Sequence, residues 1–332
     1  MTKKLRIGFA GAGAISQYHL VGWSEMADAR VVAICDIDEA KASAKAQAFG
    51  IPAVYTNFRA MLERENLDAV DIVTPVGTHA ELTRIAADAG VHVSCQKPLT
   101  PTVREAEELI AYVGERVRFM VHENYRFRPH YVQVGHWLAQ GRIGEITHAR
   151  MTVRSQGMIA VGDTPAFLLN RQPYLKDFKR LLIFEVLIHH LDVMRTLLGP
   201  LEVVSAQVAK VNKSLAGEDV AVILMRGRNG STIVMDGNIS APGHGPMPAD
   251  RLEIMGTRGT LIYDRDRLYL AGSDEPPLIF DLAKNYQACF SSAVREFAHG
   301  LRDDKPFAID RLDNLETLKL MEASYVAAQV EI

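Results

Sequence analysis

Leu5-Arg6-Ile7-Gly8-Phe9-Ala10-Gly11-Ala12-Gly13-Ala14-Ile15-Ser16-Gln17-Tyr18-His19-Leu20 is the stretch that decides how this chain is read. An apolar run enters a glycine turn, and a helical pattern leaves it. The turn has the spacing of a dinucleotide fingerprint, with Ser16 where the third glycine usually sits. Gly11 allows a tight turn. Gly13, lacking a Cβ, lets backbone N–H groups approach a pyrophosphate, and the helix that begins over Ala14 and Ile15 points its positive end at that anion. Ser16 meets the need for a small residue on the strand-packing side.

A glycine turn also joins strand to helix with no ligand bound, so the context matters. A second apolar segment, Arg30 to Cys35, ends in Asp36, 23 residues after Gly13. That is close to the spacing expected for an acid on the adenosine ribose. Asp36 also suits a turn or a cap before the next helix. Ile37 rather than an arginine follows it, and a carboxylate there repels a 2′-phosphate. NAD is therefore expected, and NADP is disfavoured.

The bulk properties narrow the class. A chain of 332 residues suggests two domains. Charged residues at 23% and apolar residues at 48% are ordinary for a globular protein. A net charge of −3 gives no reason to expect nucleic acid or an anionic membrane surface as partner. Three cysteines, Cys35, Cys95 and Cys289, make no disulfide framework. The apolar run after Met1-Thr2-Lys3-Lys4 is too short for a signal peptide, and no stretch reaches the length of a membrane span. A cytoplasmic location is expected.

From Leu5 to about Val121 short apolar strands alternate with amphipathic helices. Strands are expected at Leu5–Ala10, Arg30–Cys35, Ala69–Val73, His92–Cys95 and Arg118–Val121. This is the pattern of a parallel sheet with helices on both faces, in which ligands bind beyond the carboxyl ends of the strands. After Val121 the pattern changes. A helix near Tyr131–Gln140 leads to a strand at Glu145–Arg154, then to an irregular stretch over residues 155–180 of the length that functional loops have. A helix is expected from about Arg180 to Leu198, then six strands in succession, then two closing helices. Strands without intervening helices imply an antiparallel sheet. The expected fold is α/β, with a Rossmann-type domain over residues 1–121 and an α+β domain with an open, largely antiparallel sheet over residues 122–332.

Two groups of residues carry chemistry. Cys95-Gln96-Lys97-Pro98 follows the fourth strand, and a lysine at a strand end beside a cofactor is a candidate acid, base or substrate-orienting group. Most lysines at loops are simply solvated. The other group is Glu185-Val186-Leu187-Ile188-His189-His190-Leu191-Asp192. Glu185 and His189 share a helix face at a spacing of four, and a carboxylate beside an imidazole orients the ring for moving an alcohol proton. An ordinary polar helix face has the same look. Zinc ligation is disfavoured, because consecutive His189 and His190 point in different directions. No metal is expected.

Taken in order, Gly11 to Ser16 with His19, Asp36, Thr74-Pro75 with His79, Gln96-Lys97-Pro98, Asn124-Tyr125-Arg126-Phe127-Arg128-Pro129, and Glu185 to Asp192 resemble the Gfo/Idh/MocA oxidoreductases along nearly the whole chain. The resemblance implies that Thr74, Pro75, His79 and Asn124 line the cofactor cleft, with Gln96 on the nicotinamide ribose. It implies that Lys97 and His189 flank the carbon that gives or accepts hydride. Glu185 stands where many relatives have Asp, and Gln96 where Glu is usual. On this resemblance the chain is an NAD-dependent dehydrogenase acting on a CH–OH group of a sugar or polyol, with branched pentoses such as D-apiose among the candidates. Tyr125, Arg126, Arg154 and the 155–180 loop are expected to hydrogen-bond other hydroxyls, and a homodimer or homotetramer is expected. Two rivals use the same scaffold: a non-catalytic NAD-binding sensor, which the presence of Lys97 and His189 disfavours, and a different reduction such as dehalogenation or tetrapyrrole reduction.

Overall fold

The computed structural model describes residues 4–163 and 165–330. The Met1-Thr2-Lys3 start, Thr164 in the 155–180 stretch and the last two residues lie outside them. The chain divides into two compact units. One holds the chain up to Phe127 together with Ala283–Leu318, and the other holds Arg128–Leu282 together with the chain from Lys319.

The first unit is built on six parallel strands: β1 (Leu5–Ala10), β2 (Ala29–Cys35), β3 (Ala53–Tyr55), β4 (Ala69–Ile72), β5 (His92–Gln96) and β6 (Phe119–His122). Their order is β3-β2-β1-β4-β5-β6. β1 pairs with β2 on one side and with β4 on the other, so the order reverses there. The crevice beyond the carboxyl ends of β1 and β4 is where such a sheet binds its ligand. The helices are α1 (Ser16–Ser24), α2 (Glu39–Phe49), α3 (Phe58–Arg64), α4 (His79–Asp88) and α5 (Val103–Val113). Asp38, Asn57 and Thr102 cap α2, α3 and α5 with side-chain oxygens. The expected strands are present within a residue or two. β3 and α3 were not expected, because three residues and seven residues are too short to show a period.

A single cut at Val121 does not describe the units. Helix α9 (Leu282–Asp303) comes late in the chain, yet Val294, Phe297 and Ala298 share one core with Ile7, Phe9, Leu20 and Trp23. The Val121 amide also donates to the Ile309 carbonyl at 3.1 Å. This burial joins residues more than 280 positions apart, so no local change of composition announces it.

The second unit carries eight strands, β7 (Ile146–Arg154), β8 (Leu201–Ala209), β9 (Val220–Gly227), β10 (Thr232–Asn238), β11 (Ala249–Gly256), β12 (Thr260–Asp264), β13 (Arg267–Leu270) and β14 (Leu278–Ile279). All pairings are antiparallel except β7 with β10. One face is core: Met151, Val153, Ile223, Met235, Leu252 and Ile254 are buried. The alternate residues form the other face, where Val204 and Val222 are exposed. Helices α6 (Pro129–Ala139), α7 (Phe167–Arg171) and α8 (Ile188–Leu198) belong to this unit. Among the described residues no helix is long and apolar enough to cross a membrane.

Candidate active site

In the first unit the site is assembled at the strand ends. Gly11 has φ +104°, and a Cβ there would stand 2.4 Å from the Val73 carbonyl oxygen. Only glycine fits a turn that passes this close to β4. A Cβ at Gly13 would meet nothing within 4 Å, so the backbone is open on that side for a phosphate to approach. Ser16 is buried, and its hydroxyl donates back to the Gly13 carbonyl at 2.6 Å. Ala14 and Ile15 lead directly into α1. Asp36 accepts from the Ala12 amide at 2.6 Å and from the Asp38 amide at 2.9 Å. Each carboxylate oxygen keeps a lone pair for ribose hydroxyls. Ile37 beside it is 95% exposed, an apolar surface of the kind an adenine ring covers. These residues fit a dinucleotide.

Thr74 and Pro75 follow β4. The Thr78 hydroxyl donates to Thr74 Oγ1 at 2.7 Å. The ring of His79 is buried between two loops, its Nδ1 2.8 Å from the Pro98 carbonyl and its Nε2 2.8 Å from the Thr74 carbonyl. Burial lowers the His79 pKa, and the carbonyls oppose that shift. His79 therefore links the turns after β4 and β5. Lys97, partly buried, lies one residue beyond β5, and its N–H donates to Gln96 Oε1 at 2.7 Å. Asn124 donates to Cys289 Sγ at 3.0 Å. The Tyr125 amide donates to Glu123 Oε1 at 3.0 Å. Arg126 is committed within this unit, to Asp313 at 2.7 Å and to the Ala308 carbonyl at 2.8 Å. That pairing, with little of the guanidinium exposed, tethers the segment after α9.

His19, Asp71 and His122 present ligand atoms within 4.8 Å of one another, the compactness of a metal triad. Their geometry suits a hydrogen-bond network better. The two rings stack at 3.9 Å and 30°, which sets their in-plane lone pairs side by side rather than toward a common point. Both nitrogens of His19 already face partners, Asp71 and Gln96.

In the second unit Glu185 and His189 fall where the backbone changes form. Leu182–Leu187 is a π-helical segment, and α8 begins only at Ile188. The continuous α-helix expected from Arg180 is corrected accordingly. π-Segments occur often at functional sites. Buried Glu218 anchors the start, accepting from the Leu181 and Ile183 amides at 3.1 and 3.0 Å. A carboxylate satisfies the unpaired amides of a helix start and complements its dipole. The Tyr325 hydroxyl donates to Glu218 at 2.7 Å and accepts from the Phe184 amide. Gly237 lets the segment seat on β10, since a Cβ there would stand 2.9 Å from Leu187. Glu185 lies near Tyr174 of the 155–180 stretch, whose hydroxyl pKa is pushed up to about 12 by burial and by the Glu185 charge. Gln172 donates to that hydroxyl at 2.6 Å. The sequence singled out the loop but not Gln172 or Tyr174.

The adjacent His190 faces away into the core. Its Nε2 lies 2.9 Å from Asp250 Oδ1, and Asp250 also accepts from Arg128 at 3.0 Å and from the Tyr131 hydroxyl at 2.7 Å. Nothing in the sequence flagged Asp250, sixty residues from its histidine. Arg154 is placed differently from the expectation that it contacts substrate. It bonds Asp236 Oδ2 at 2.5 Å and the Asp236 carbonyl at 2.6 Å. Strand alternation puts it opposite Val153 and Gly237, on the sheet face away from the helix that carries His189.

Comparison with known proteins places these features. The profile described as "Oxidoreductase family, NAD-binding Rossmann fold" matches residues 5–124, and "GFO/IDH/MocA C-terminal domain" matches residues 131–262. The chain is 35% identical to a D-apiose dehydrogenase from Paraburkholderia graminis, over 98% of this chain and 88% of that one. It is 31% identical to a D-apiose dehydrogenase from Rhizobium rhizogenes, over 98% and 95%. A crystal structure of an oxidoreductase from Agrobacterium radiobacter, in complex with NAD+, L-tartaric acid and magnesium, superposes with a TM-score of 0.89 at 29% identity, covering 98% of this chain and 97% of that one. A glycine turn, an acid just after β2 and a strand-end lysine on a six-stranded parallel sheet, followed by an open eight-stranded sheet, thus belong to a chain that is a member of the Gfo/Idh/MocA oxidoreductase family.

Proposed function

We propose that this protein is an NAD-dependent sugar dehydrogenase that oxidises a CH–OH group, with an aldopentose such as D-apiose as substrate and the hemiacetal hydroxyl as the reacting group. Lys97, at the carboxyl end of β5 in the dinucleotide-binding unit, is the observation that carries the reading. The 35% identity to a D-apiose dehydrogenase supports the choice of sugar. NAD supplies the hydride acceptor. Asp36, held by the Ala12 and Asp38 amides, selects it over NADP, because a carboxylate there repels a 2′-phosphate. His189 takes the hydroxyl proton, with Glu185 orienting its ring, and Lys97 serves as the orienting group of the dinucleotide-binding unit. Tyr174 and Gln172 offer hydrogen bonds to a further hydroxyl. The open face of the eight-stranded sheet, with Val204 and Val222 exposed, joins copies of the chain into a dimer or tetramer.

Purified protein is incubated with NAD or NADP and a panel of aldoses, sugar acids and inositols, and reduced cofactor is followed by absorbance. The expected result is turnover of a branched or linear aldopentose with NAD. Tight NAD binding with no turnover of any member would favour a sensor.

A further inference from the structure

The hydrogen bonds behind Lys97 allow only one arrangement of protons. The Lys97 backbone N–H can only donate, and it meets Gln96 Oε1 at 2.7 Å. The other end of that amide is therefore NH2, a donor, and it faces His19 Nε2 at 3.0 Å. His19 Nε2 must accept, so the ring proton sits on Nδ1. Nδ1 lies 2.9 Å from Asp71 Oδ2, which must then be an acceptor. Asp71 also accepts from the Trp23 indole at 2.8 Å and from the Ser94 hydroxyl at 3.1 Å. His19 and Asp71 are fully buried, so water does not compete for these bonds.

We propose that Asp71, His19 and Gln96 form a one-way hydrogen-bond relay that positions Lys97, with His19 held as the neutral Nδ1–H tautomer. The relay runs from the middle of β4 through α1 to the end of β5. It tethers the lysine backbone to the most buried part of the sheet, so the amine works from a fixed base. Asp71, His19 and Gln96 act through Lys97 and are positioning residues here. Their importance for rate rests on the dehydrogenase reading, whereas the proton arrangement does not. The titratable groups facing the His19 ring are Asp71 from β4 and His122 from β6, whose ring stacks on it; Phe9 of β1 and Phe290 of α9 complete its surroundings.

The test uses the full-length protein with 15N-labelled histidine and three sequences: the parent, Gln96→Glu and Gln96→Met. In the parent, long-range nitrogen–proton spectra are expected to show His19 with Nδ1 protonated and Nε2 bare at neutral pH. The Lys97 amide is expected to exchange slowly with deuterium. Glutamate at 96 accepts only, so the relay survives in Gln96→Glu when His19 Nε2 also carries a proton. This variant is expected to gain an alkaline limb in its kcat profile that coincides with His19 Nε2 losing its proton in the spectra. Gln96→Met has neither bond, so fast exchange at Lys97 and a kcat loss on the order of 10- to 100-fold are expected at every pH. A protonated Nε2 in the parent, or a Gln96→Glu profile that matches the parent, overturns the relay. If the parent turns over no sugar at all, the function proposed above fails, and the ring spectra and Lys97 exchange still decide the relay.

Discussion

The Asp36 carboxylate accepts the Ala12 amide at 2.6 Å, so the acid at the end of β2 is built into the glycine turn itself. It fixes the turn, and in the function proposed above it also meets the ribose. Asp36→Ser is expected to weaken NAD binding by roughly 10- to 100-fold, the usual cost of losing a charged hydrogen bond. It should raise affinity for NADP, since the repelling charge is gone. Titrating both cofactors against intrinsic fluorescence checks this. Unchanged preference would remove Asp36 from the cofactor site.

Gly11→Ala asks a side chain to occupy φ +104° and to stand 2.4 Å from the Val73 carbonyl. Strain of this kind costs about 1–3 kcal/mol. The variant is expected to melt lower and to lose NAD binding, because the turn must shift. Gly13→Ala adds a Cβ with no protein atom within 4 Å, so it should keep its melting temperature and lose affinity for NAD alone. Equal losses of stability in the two would contradict the division of roles between these glycines.

Lys97→Ala and His189→Ala are each expected to lower kcat by about 10²- to 10⁴-fold, the range for removing a proton-transfer or orienting group. NAD affinity should change little in either. Single-turnover absorbance with the best sugar from the panel gives the comparison. Full rate in His189→Ala would show that another group takes the proton.

His130 makes a separate statement about acid stability. Its ring stacks on Tyr263 at 4.1 Å, and burial, with the Arg128 charge adding to it, drives its pKa down to about 3. In the unfolded chain a histidine titrates near ~6.5. Between those values the unfolded state binds a proton that the folded state refuses, so stability falls as pH falls from about 6.5 toward 3. Asp250 adds to the loss at the acid end. Burial pushes it up, but the His190 and Arg128 contacts outweigh that and hold it well below the usual carboxylate range. Its contribution is complete above about pH 4 and is lost as pH falls below that. His130→Phe keeps the stack and removes the titration. Denaturant melts between pH 4 and 6.5, roughly the span set by those two reference values, should show a slope shallower by up to about 1.4 kcal/mol per pH unit. An unchanged slope would mean that His130 is protonated in the fold.

Local rules account for what the sequence makes readable. β1 runs from Leu5 to Ala10 as expected because an apolar run stops at a glycine pair, and both causes lie within ten residues. The glycine turn, Asp36, Lys97 at a strand end and the change from alternating helices and strands to successive strands are all short-range patterns. The π-helical segment before His189 was not readable, because a spacing of four residues looks the same whether or not the helix is underwound. Three decisions belonged to the tertiary structure alone. Ala283–Leu318 returned to the first unit through burial of Phe297. Asp250 became the partner of His190. Arg154 was turned to the outer sheet face. Each depends on packing between segments dozens to hundreds of residues apart, and hydrophobic burial carries no sequence address for its partner. The amino-acid order set which groups were present and which elements formed; only the packed sheets decided which of those groups meet.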